Sequence, residues 1–87
     1  MDKAQRAFFN KIDEILWHDW NPVGFPVPKD EYRAYVPQIF RHVEDGYSEE
    51  ALAKELHLMA MGINESARYN DSVKTARYIV EAKGKLL

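Results

Sequence analysis

The sequence predicts an all-α fold. Four helices, at about 3–18, 31–45, 49–61 and 71–84, form one domain with an ordered proline-rich loop at 21–29. Three observations predict it. Apolar residues recur at three- and four-residue spacing through most of the chain. The breaks between these stripes carry helix punctuation, with prolines after the first and Asp45-Gly46-Tyr47-Ser48 after the second. Finally, 87 residues with 46% hydrophobic and 30% charged content suit one modest core.

In the first helix, Ala4, Phe8, Phe9, Ile12, Ile15, Leu16 and Trp20 fall in one arc about 160° wide. Arg6, Asn10, Asp13 and Glu14 lie opposite. Trp17 points to the polar flank, so either the following loop folds back over it or it is exposed as an interface anchor. Pro22 ends the helix, because the residue before a proline is pushed out of the α region.

The stretch from Trp17 to Pro37 organises the chain. It holds both tryptophans, all four prolines and two of the five tyrosines. Three prolines and Gly24 between Pro22 and Pro28 forbid helix and predict a stiff connection. Val23, Phe25 and Val27 are expected to plug the end of the core. Asp30 is the expected N-cap of the second helix, with Glu31 in its first turn. Tyr32, Val36, Ile39 and Val43 lie within about 60° of one another, flanked by Tyr35 and Phe40. Pro37 inside this pattern predicts either a kink or a 3₁₀-like first turn, with regular helix from near Val36.

Gly46 is the expected left-handed cap of the second helix, and Ser48 the N-cap of the third, followed by Glu49 and Glu50. Leu52, Leu56, Met59 and Ile63 form the third stripe, with Ala53 and Ala60 beside it. Leu58 and Met61 fall outside it, so this helix is either central or presents a second face to a partner. Gly62 reads as its C-cap. Asn70 or Asp71 is expected to cap the fourth helix, whose stripe is Val73, Ala76, Ile79, Val80 and Leu87. Gly84 reads as its end, with the remaining tail frayed. Tyr69 and Tyr78 are left near the surface.

Chemistry is sparse. There is no cysteine, which excludes disulfides, thiolate metal sites and cysteine catalysis. His18, His42 and His57 fall on three different helices without the i,i+4 spacing of a helical zinc site, so no metal and no cofactor is expected. No nucleophile elbow, P-loop or dinucleotide fingerprint is present, so an enzyme is not expected. Adjacent carboxylate pairs such as Glu49/Glu50 point about 100° apart on a helix and form no dyad. A net charge of −2 and a pI of about 5.9 supply no basic field for nucleic acid. No apolar run approaches a membrane span and the N-terminal residues show no secretory signal, so the expected location is the cytoplasm.

Trp20-Asn21-Pro22-Val23-Gly24, followed by Asp30 to Pro37, resembles a family of small uncharacterised bacterial helical proteins. Their signature is Trp-Asp-Pro-Ile-Gly, then Asp-Glu-Tyr-Asp-Ser-Tyr-Val-Pro, a Gly-x-Ser-Glu-Glu turn and a Met-Gly helix end. Gly46-Tyr47-Ser48-Glu49-Glu50 and Met61-Gly62-Ile63 are similar to the last two features. Asn21 and Arg33 replace acids of that pattern. Members look like the small cytoplasmic proteins found with bacterial toxin systems, which implies an immunity-type role.

Two functions are therefore expected in order. The first is a non-enzymatic protein-interaction module that binds another protein or itself as a homodimer. Its candidate contacts are Trp17, Leu58, Met61, Tyr69 and Tyr78, with Asp19, Asp30 and Glu31 as an acidic rim. The alternative is a small-ligand site lined by residues 20–37, with Tyr32, Tyr35 and His42 as its polar groups.

Overall fold

The first element begins with a reciprocal cap. Asp2 accepts from the Gln5 amide at 2.7 Å, and the Gln5 side chain accepts from the Asp2 amide at 2.9 Å. In the computed structural model, which describes residues 1–87, four helices follow: α1 (Lys3–Ile15), α2 (Val36–Glu44), α3 (Glu49–Ile63) and α4 (Tyr69–Leu86). There are no strands. α4 packs along both α3 and α1, and α2 closes the ring between α1 and α3. The radius of gyration is 12.0 Å, the value of about 12 Å expected for a folded chain of this length.

α1 does not stop at Ile15. It widens into a single π turn, Leu16–Trp20, closed by the Asn21 amide on the Leu16 carbonyl at 3.0 Å. The wider turn keeps Leu16 and Trp20 buried together. It also sends Trp17 to the loop side, where its indole N–H donates to the Val27 carbonyl at 2.8 Å. Lys29 lies over the same ring. The loop thus folds back onto Trp17. Val23 and Val27 pack against the core as expected, but Phe25 does not: it is 62% exposed. The turn is drawn together by hydrogen bonds from its polar atoms, and Phe25 is carried outward.

The second helix starts later than the expected residue 31. Arg33–Tyr35 is a 3₁₀ turn, and α2 proper begins at Val36 with Pro37 in its first turn, where the missing N–H costs nothing. Asp30 is not an N-cap; its carbonyl accepts from the Arg33 amide instead. α2 ends in a Schellman arrangement. The Gly46 amide donates to the Val43 carbonyl and the Tyr47 amide to the His42 carbonyl, with Gly46 at φ 85°. The Tyr47 ring stacks on His42, centroids 4.3 Å apart, which supplies the side-chain contact of that motif.

Ser48 caps α3, accepting from the Ala51 amide at 3.1 Å. Gly62 does not end α3, and Gly84 does not end α4. Neither has positive φ, and both helices run through them. α3 ends instead where Asn64 adopts an extended conformation. α4 begins at Tyr69 after Arg68, with no side-chain cap, so neither Asn70 nor Asp71 has that role.

Seventeen buried apolar residues form one core, drawn from α1, the π turn, Tyr32 and all the later helices. On α4 the buried line is Ser72, Thr75, Ala76, Ile79 and Ala82. Val73 and Val80 are only partly buried, and Leu87 is exposed. The two hydroxyls are accommodated: Thr75 donates to the Asp71 carbonyl at 2.7 Å, and Ser72 accepts from the Trp20 indole at 3.3 Å.

Candidate functional site

Two regions are candidates: the proline-rich corner and the outward face of α3. The corner is built on aromatic rings. Trp20 meets Tyr32 and Tyr35 edge-on, at 5.4 and 5.8 Å between centroids. The Tyr32 hydroxyl donates to Asn21 Oδ1 at 2.7 Å and accepts from the Val23 amide at 3.3 Å. Asn21 Nδ2 donates to the Phe25 carbonyl at 3.1 Å. Asn64 Nδ2 donates to the Pro22 carbonyl at 3.0 Å, tying the corner to the end of α3. Burial pushes the Tyr32 phenol above its ordinary range, outweighing the Val23 amide, which favours the phenolate.

These bonds leave no ligand cavity among Tyr32, Tyr35 and His42. Tyr32 is 1% exposed, and His42 is stacked on Tyr47, away from this aromatic cluster. The clefts nearby lie elsewhere. One of about 240 Å³ runs between Trp20, Pro22, Asn64 and the start of α4 at Arg68 and Ser72. A shallower one lies between Trp17, His18 and Phe25.

Arg33 reaches back to α1. Its guanidinium meets Asp13 Oδ2 at 2.8 Å and covers the Phe9 ring. Arginine at this position therefore has a partner on α1.

The predicted partner-binding residues divide into three groups. Leu58 and Met61 share one side of α3, and Tyr69 borders it through His57. Leu58 and Met61 are 60% and 42% exposed on the side of α3 opposite Leu52, Leu56 and Ala60. Tyr69 reaches this side from α4, its ring edge-on to His57 at 5.1 Å, and His57 is one turn from Met61. Asp19 and Tyr78 instead line an open groove of about 510 Å³ between α1 and α4, with Lys11, Glu81, Lys85 and Leu86. Trp17, Asp30 and Glu31 belong to the corner; the two carboxylates are exposed there, while Trp17 is partly covered. Asp19, Asp30 and Glu31 therefore form no rim around Leu58 and Met61.

The histidines do not converge. His18 pairs with Asp19 at 3.0 Å, His42 with Tyr47 and His57 with Tyr69. No three His, Cys, Asp or Glu side chains gather as a metal site would require. No helix is long and apolar enough to cross a membrane.

Fold and surface together define a small all-α domain of four helices with Leu58 and Met61 exposed on the outward side of α3. Comparison of the chain with family models, with characterised proteins and with solved structures finds no match.

Proposed function

We propose that this chain is a non-enzymatic protein-interaction module whose working surface is the outward face of α3. One observation carries the reading. Leu58 and Met61 remain exposed on the side of a helix whose opposite side already fills the core, and Tyr69 extends the patch through His57. Scattered surface leucines are ordinary, whereas a contiguous apolar patch marks an interaction site. The corner offers less. Its polar atoms are engaged with one another, which suits scaffolding. Ser48, Ser72 and Thr75 are likewise engaged in caps and packing, which leaves little for nucleophilic chemistry. The resemblance to small bacterial proteins of toxin systems gives this module its most specific form, an immunity-type inhibitor acting in the cytoplasm.

Affinity capture tests the reading. Wild type is compared with L58E/M61E and with F25S, a change on the exposed corner. The expected result is a retained protein, its own chain or another, that L58E/M61E loses and F25S keeps. Equal capture by all three would overturn the reading.

A further inference from the structure

We draw no further inference here: the strongest candidate, the outward side of α3 on which Leu58 and Met61 are exposed, belongs to the site already described, and nothing in the structure shows what covers it.

Discussion

The Tyr32 hydroxyl donates to the side-chain carbonyl of Asn21 across 2.7 Å, linking the residue before the first proline to the turn that leads into α2. Asn21 is also the one non-glycine residue with positive φ, at 29°. Its amide both accepts from Tyr32 and donates to the Phe25 carbonyl. An amide side chain does both, whereas a carboxylate only accepts, so the asparagine is better matched to this corner than an aspartate would be. Y32F is expected to lower stability by about 1–2 kcal/mol, because it removes one hydrogen bond and strips the Val23 amide of its acceptor. N21D should cost less, keeping the bond from Tyr32 and losing the one to Phe25. Chemical denaturation checks both; an N21D protein as stable as wild type would contradict the double role.

Alkaline titration reads the same residue. Burial raises the Tyr32 phenol above its unfolded value of 10.0. Its contribution is therefore fully present below pH 10 and is lost as pH rises from there through the folded value. Wild type should lose stability progressively above that point. Y32F should show a shallower decline over the same window, measured by melting temperature against pH.

A second buried bond ties α1 to α4. The Trp20 indole and the Ser72 hydroxyl meet at 3.3 Å with both residues essentially excluded from water. S72A leaves the indole N–H without a partner and is expected to cost about 1–3 kcal/mol. In a W20F background S72A should cost less than in wild type. A double-mutant cycle with no coupling would contradict the pairing.

The glycines separate by conformation. Gly46 at φ 85° closes α2, and G46A should destabilise through left-handed strain. Gly62 is helical with open space around its missing side chain, and G62A should stabilise by about 0.4–1 kcal/mol. Thermal melts of the two variants are expected to move in opposite directions.

The helical stripes of α1, α2 and α3 were legible because their buried positions are apolar and regularly spaced. The 3₁₀ start of α2 was legible as one of two outcomes of Pro37. The exposure of Leu58 and Met61 was legible as one of the two outcomes of their place off the α3 stripe. The line on α4 was not legible. Ser72 and Thr75 read as polar surface, and only the Trp20 indole and the Asp71 carbonyl, set by tertiary packing and helix geometry, make them core. Gly62 and Gly84 look like helix ends in sequence, yet a glycine ends a helix only where the chain turns left-handed, as at Gly46. The π turn at Leu16–Trp20 left no local mark. It arises because Leu16 and Trp20 are buried together while Trp17 meets the loop. For the site, Tyr69 was legible as surface, but its contact with His57 needed the helices placed side by side.

The most direct test follows side-chain NMR signals of the full chain as the protein retained in affinity capture, its own chain or another, is added from about 10 µM to about 1 mM, the range over which a small interface populates. The Met61 and Leu58 methyl resonances should shift together along one binding curve, while the Trp17 and Trp20 indole signals stay fixed. Indole signals that move while both methyls remain constant would place the contact at the corner and contradict the assignment to α3.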